Sequence, residues 1–155
     1  PIEEEVVIDA ELALELLGDA WSLLIVRDLM FKDRRIYNDF LTGGEGIASN
    51  ILADRLRRLE DANIIEKRRD PEDARRFIYR LSRKGIDLAP VLVELVIWSA
   101  RHEQTDAPAA IVRSMRANRE TFISDVRRRW RRRILWFGRI WRGRRLSRGS
   151  RRRRV

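Results

Sequence analysis

Ser49, Asn50, Asp54, Arg57 and Arg58 fall on one side of a helical repeat, with Arg55 at its flank. Short polar groups followed by guanidinium groups are the chemistry needed to hydrogen-bond base edges in a major groove. Ser49, Asn50 and Asp54 are therefore the expected groove-facing residues, and Arg55, Arg57 and Arg58 are expected to divide between base edge and phosphate. A second set of cations, Arg34, Arg35, Lys67, Arg68, Arg75 and Arg76, is expected to meet backbone phosphate. For each of these the alternative is a solvated charge or an internal pair with a nearby acid such as Asp70, Glu72 or Asp73, since exposed charges are common and contribute little energy.

Such side chains need a helix anchored beneath them. Ile51, Leu52, Leu56 and Leu59 recur at one helical face, Ala48 or Ser49 stands at the cap position, and Asn63 follows where a left-handed residue is wanted. Upstream, Asp9 is the expected cap of a helix to about Leu17 with Leu12, Ala13 and Leu16 on its apolar side. A second helix, about Asp19 to Phe31, is apolar on two flanks and reads as the central pillar. The basic break Lys32-Asp33-Arg34-Arg35 leads to a short third helix marked by Ile36, Tyr37, Phe40 and Leu41. Thr42-Gly43-Gly44-Glu45-Gly46 is a turn that exploits the freedom of glycine, and Ile47 anchors it. Helix, glycine-containing turn and helix form the helix-turn-helix pattern.

Downstream the apolar period shortens. Residues 64–69 and 76–81 read as the two strands of a hairpin, a wing whose cations Lys67, Arg68, Arg69, Arg75 and Arg76 cluster near the tip. Ser82 is the expected cap of one long helix from Arg83 to His102, in which Pro90 imposes a kink or marks a late start. Its two apolar stripes exceed what one small core needs, which suggests cover by a second subunit. The dimer interface is expected at Leu12, Leu16, Leu92, Leu95, Val96 and Trp98. Further short helices follow Thr105-Asp106-Ala107-Pro108.

The 155 residues are 44% apolar, enough for one core. The formal charge of +10 is unevenly placed: residues 1–126 hold all 24 acids against 19 cations, whereas residues 127–155 hold 15 arginines and no acid. The expected fold is mainly α with a small β-hairpin, a winged helix-turn-helix with additional C-terminal helices. Its divisions are a DNA-binding and dimerisation domain over 1–104, a helical extension over 105–130 and a flexible Arg/Trp-rich tail over 131–155. There is no cysteine and only one histidine, His102, which excludes disulfides and two-histidine metal sites. No run is long and apolar enough to read as a transmembrane segment and no signal peptide opens the chain, so a cytoplasmic protein is expected. No nucleophile with its base, carboxylate pair or phosphate loop stands out, so neither an enzyme nor a cofactor is expected. Trp21, Tyr37, Phe40 and Trp98 invite a pocket for an unidentified small-molecule effector, but aromatics at helical spacing more often fill a core.

In order along the chain, Gly18-Asp19-Ala20-Trp21-Ser22-Leu23-Leu24-Ile25, Arg35-Ile36-Tyr37-Asn38-Asp39-Phe40, Gly46 through Glu60, Ile65-Glu66-Lys67-Arg68, Tyr79-Arg80-Leu81-Ser82-Arg83-Lys84-Gly85 and Leu88-Ala89-Pro90-Val91-Leu92 resemble the HxlR-type winged helix-turn-helix transcriptional regulators, relatives of the MarR group. The resemblance implies a dimeric regulator of double-stranded DNA. Some members of that family sense oxidants through a cysteine near the N-terminus, a mechanism this chain lacks the residue for. Ala20 stands where the family often has Lys, Ala74 where a wing Gly is common and Asn63 where Gly is usual. The resulting expectation is a sequence-specific repressor that binds a pseudo-palindromic operator as a homodimer. The competing reading is a non-specific nucleic-acid or anionic-membrane-surface binder acting through the Arg/Trp tail.

Overall fold

The pillar forms as expected. In the computed structural model, which describes residues 10–149 and leaves undescribed the side chains of residues 136, 137 and 139–149, α2 (Ala20–Phe31) buries Ile25, Val26, Leu29 and Met30 at the centre of the core. Asp19 caps it by accepting from the Ser22 N–H at 3.0 Å. Before it lies α1 (Glu11–Leu17), which has no buried residue. Its N-cap is Ala10, with no side-chain cap, whereas the expected cap, Asp9, and the acidic start before it lie outside the described residues.

After α2 the chain reverses through Asp33, a non-glycine residue at φ 56°, and enters α3 (Tyr37–Leu41). Asp39 holds that entry by accepting from the backbone N–H groups of Arg35 at 2.9 Å and Ile36 at 3.1 Å. The glycine turn follows with Gly44 at φ 94° and Gly46 at φ 72°, conformations that exclude most side chains. Next come α4 (Ser49–Asp61) and an antiparallel pair, β1 (Ile65–Arg69) and β2 (Phe77–Leu81), in register from Ile65 opposite Leu81 to Arg69 opposite Phe77. The Tyr79 N–H donates to the Arg35 carbonyl at 2.7 Å, so the segment before α3 lies along the free edge of β2.

The long helix expected over 83–102 is two helices: α5 (Arg83–Ile86), capped by Ser82, and α6 (Ala89–His102), with Pro90 in its first turn. Proline suits that position because the first N–H groups of a helix have no intrahelical partner, so the late start wins over the kink. The break also resets the phase. Leu92, Val93 and Ile97 are buried while Val91, Leu95 and Trp98 face outward. α7 (Ala109–Ala117) and α8 (Arg119–Gly149) complete the chain. Val126 of α8 enters the main core, and Phe122 sets its ring 6.4 Å from that of Phe31. α8 runs without a break past residue 131, where the Arg/Trp-rich tail was expected to begin, and on to Gly149.

Candidate nucleic-acid interface

α4 is fixed on one side and open on the other. Leu52, Leu56 and Leu59 lie in the core against α2, whereas Ser49, Asn50, Arg57 and Arg58 are exposed and Asp54 and Arg55 are half-buried. Ala48 occupies the cap position without a capping side chain, which makes Ser49 the first helical residue and leaves its hydroxyl on the outside.

Both ends of α4 are tied. At the N-terminal end the Tyr37 hydroxyl donates to the Ser49 carbonyl at 2.7 Å. At the C-terminal end Asn63 adopts φ 57°, its N–H donates to the Glu60 carbonyl at 2.9 Å and the Ile64 N–H reaches back to the Leu59 carbonyl at 2.9 Å. This is a Schellman closure, with its apolar contact supplied by buried Leu59 and Ile64. The Ser82 hydroxyl donates to the Asn63 carbonyl at 2.6 Å and Lys84 to the Ala62 carbonyl at 2.8 Å. Gly85 presses so near that a Cβ there would lie 2.2 Å from the Ile64 carbonyl oxygen.

The charged residues of α4 form a chain rather than a set of independent groups. Arg55 donates through Nε to Asp19 at 2.9 Å and through Nη1 to Asp54 at 2.6 Å, and Arg57 donates to Asp54 at 2.7 Å. The hydrogen bond from Arg57, outweighing desolvation and joined by Arg55, holds the Asp54 carboxyl below its ordinary value. The hydrogen bond to Asp19 raises the Arg55 guanidinium. Arg55 therefore joins the cap of α2 to α4, whereas Arg57, with 66% of its side chain exposed, remains presented outward. Arg58 makes one long contact, 3.5 Å, to the Glu15 carbonyl.

Arg34, expected to meet phosphate, is largely enclosed within the domain. Only 19% of its side chain is exposed, and its guanidinium bonds Asp28, the Glu45 carboxylate at 3.2 Å and the Gly43 carbonyl at 2.6 Å. Arg27 and Lys32 join the same cluster, which locks the glycine turn to α2. Burial raises the Glu45 carboxyl, but the hydrogen bonds from Arg27, Lys32 and Arg34 overcome it and lower the group from 4.5 to about 2. Arg35 bonds Asp33 at the outer end of the same break. Arg34 and Glu45 stand on either side of α3, so a linear reading divides this cluster between two segments.

The wing carries the remaining cations. Buried Asp70 organises its tip, accepting from the Glu72 N–H at 2.8 Å and from Arg76 Nε at 2.7 Å. Arg76 stays half exposed, and Arg75, 3.3 Å from Asp73, has 93% of its side chain in solvent. Lys67 lies 4.0 Å from Glu60 and 4.6 Å from the centre of the Phe77 ring, and Arg68 lies 3.8 Å from Glu66. The internal pairs anticipated as the alternative thus coexist with outward exposure. Arg69 donates to the Ala74 carbonyl at 2.6 Å and braces the tip where a glycine was absent.

Among the described residues no cluster of His, Cys, Asp and Glu has the makings of a metal site, and no helix is long and apolar enough to cross a membrane. Of the aromatics weighed as pocket residues, Phe40 is buried edge-on to Tyr79, and Trp98 is exposed beside His102.

Residues 16–107 match the HxlR-like helix-turn-helix family model. The chain is 37% identical over 86 residues to an HTH-type transcriptional regulator of Mycobacterium tuberculosis, an alignment covering 56% of this chain and 53% of that one, so the chain spans about half the length of this curated relative. It is 35% identical over 89 residues to the HTH-type transcriptional regulator YodB of Bacillus subtilis, covering 57% and 79% respectively. Among solved structures, PA1607 superposes with a TM-score of 0.59 at 30% identity over 68% of this chain and 72% of that one. The reduced form of YodB gives 0.51 at 32% identity over 59% and 89%. With the winged arrangement, the doubly tied outer helix and this match in place, the chain belongs to the HxlR-like helix-turn-helix family.

Proposed function

We propose that the chain is a sequence-specific repressor that binds a pseudo-palindromic operator as a homodimer, with one α4 per half-site. The observation that carries this reading is the exposed pair Ser49 and Asn50 at the first turn of a helix whose opposite face is fully buried. Side chains at the start of a recognition helix reach base edges, and Asn offers the bidentate geometry for adenine. Arg57 and Arg58 lie further along the same face, and Arg35, Lys67, Arg68, Arg75 and Arg76 supply phosphate contacts on either side. Asp54 acts by holding Arg55 and Arg57 in place.

A second copy of the chain has apolar surface to cover. Leu95 and Trp98 on α6 are 45% and 57% exposed, and Leu12 on α1 is 68% exposed. Val96 and Leu16 are half-buried and flank them, whereas Leu92, expected at the interface, is 5% exposed and belongs to the chain's own core. Repression follows from occupancy, since a bound dimer covers the duplex it reads. A small-molecule effector would have to widen a small cavity, such as the seam between α8 and β2, which holds about 30 Å³, or the space of about 20 Å³ beside Trp21 and Phe40.

Selection of bound sites from random DNA is expected to return an inverted repeat with half-sites about 10 base pairs apart. On the selected duplex, Asn50→Ala is expected to weaken binding by roughly 5- to 150-fold, the equivalent of about 1–3 kcal/mol, while binding to random duplex changes little. No enrichment of any site, or an Asn50→Ala protein that binds selected DNA as wild type does, would overturn the reading.

A further inference from the structure

The first half of α8 crosses the domain in a fixed direction. Arg127 lies 3.4 Å from Asp87, Trp130 Nε1 donates to the Leu81 carbonyl at 3.0 Å, and Arg133 lies 3.4 Å from Asp33. Each contact is three residues after the last, so the helix steps from the start of α6 along the end of β2 to the turn before α3. That turn belongs to the base-reading end of α4, because Arg35 follows Asp33 and Tyr37 bonds Ser49. Beyond Arg133 the helix continues to Gly149, roughly 24 Å at ~1.5 Å per residue.

The charge of this helix is of one sign. From residue 127 the sequence contains 15 arginines and no acid. Arg127 and Arg133 reach acids of the domain, and Arg128 reaches Asp125, but Arg129, Arg131 and Arg132 are exposed with no anionic partner among the described residues. Burial holds the Arg133 guanidinium below its ordinary value; Asp33 opposes this and Arg35 and Arg129 add to it. Uncompensated cations thus gather beside the turn that leads into α3.

We propose that the first, arginine-rich turns of α8, residues 127–133, are a second DNA-contacting element, which lies on the phosphate backbone flanking the half-site and adds affinity without sequence preference. A membrane surface fits less well. An interfacial helix segregates an apolar face from a charged one, whereas the six arginines among residues 127–133 circle the helix and the one apolar residue among them, Trp130, is turned into the domain. Guanidinium groups on every side suit a polyanion that is met by charge rather than by insertion.

The proposal rests on the DNA-binding reading above, and its test separates the two. The full chain and the variant Arg129→Gln, Arg131→Gln, Arg132→Gln are titrated by fluorescence anisotropy against the selected duplex and a random duplex over a range of salt. Each phosphate contact contributes ~0.9 to the slope of log affinity against log salt, so the slope of the variant is expected to be shallower by about 2 to 3. Both duplexes should weaken by the same factor.

An unchanged slope with site preference intact overturns this proposal and leaves the regulator reading untouched. A reduced slope in a chain that shows no site preference supports it and defeats the regulator reading. Unchanged DNA binding combined with lost binding to vesicles of equimolar phosphatidylserine and phosphatidylcholine overturns it in favour of the membrane.

Discussion

Arginine does two opposed jobs in this chain, and the number of acceptors around each side chain separates them. Arg34 answers Asp28, Glu45 and the Gly43 carbonyl, whereas Arg75 projects from the wing with one exposed acid nearby. Arg34→Gln is therefore expected to lower stability by roughly 1–3 kcal/mol in urea melts, since charged hydrogen bonds are lost beside the nearly buried Asp28. Arg75→Gln should leave the melt unchanged and make the salt slope of DNA binding shallower by ~0.9. Glu45 gives a pH signature of known sign. Its carboxyl titrates at about 2 in the fold against an ordinary 4.5, so it stabilises fully above pH ~4.5 and loses that contribution as pH falls toward 2. The difference in stability between wild type and Glu45→Gln should shrink across that window; a difference that is constant from pH 5 down to the acid transition would refute the cluster's role.

At the scale of elements, the C-terminal closure of α4 is where local chemistry decides most. Asn63 sits at φ 57°, which glycine adopts freely, asparagine tolerates and alanine resists. Asn63→Ala should cost about 1 kcal/mol while Asn63→Gly stays near neutral, measured as equilibrium unfolding by tryptophan fluorescence or circular dichroism. This closure was legible in the sequence because an αL residue leaves a mark in residue type. So were α2, the glycine turn, α4 and both strands, whose periods of apolar residues are set by one dominant contact each. Less legible were the elements whose limits depend on competition. Pro90 is compatible with either a kink or a first turn, and only packing of Ala89 and Leu92 into the core selects the break at 87–88. The reach of α8 was missed because a run of like charges suggests repulsion, whereas Trp130, Val126 and Phe122 pin its first turns against the domain and let the helix propagate. The candidate site divides in the same way. Exposure of Ser49, Asn50 and Arg57 follows from helical phase, but the commitment of Arg34 to the glycine turn and of Arg55 to Asp19 spans 11 and 36 residues and is invisible to any local pattern.

For the whole molecule, the outward side chains of α6 make oligomeric state a consequence of few residues. Trp98→Glu together with Leu95→Glu should convert a sedimenting dimer to monomer with an unchanged circular dichroism spectrum, because neither residue contributes to the buried core. A wild-type chain that sediments as a monomer at all concentrations would remove the basis for a two-half-site operator. The seat of α8 carries a different consequence, for biosynthesis. Phe31 meets Phe122 and the edge of β2 meets Trp130, so the wall of the reading domain is finished by residues made long after its centre. At ~5–20 residues per second, the apolar flank of α2 waits roughly 5–20 s on the ribosome for its last neighbours, an interval in which nascent chains need chaperone cover.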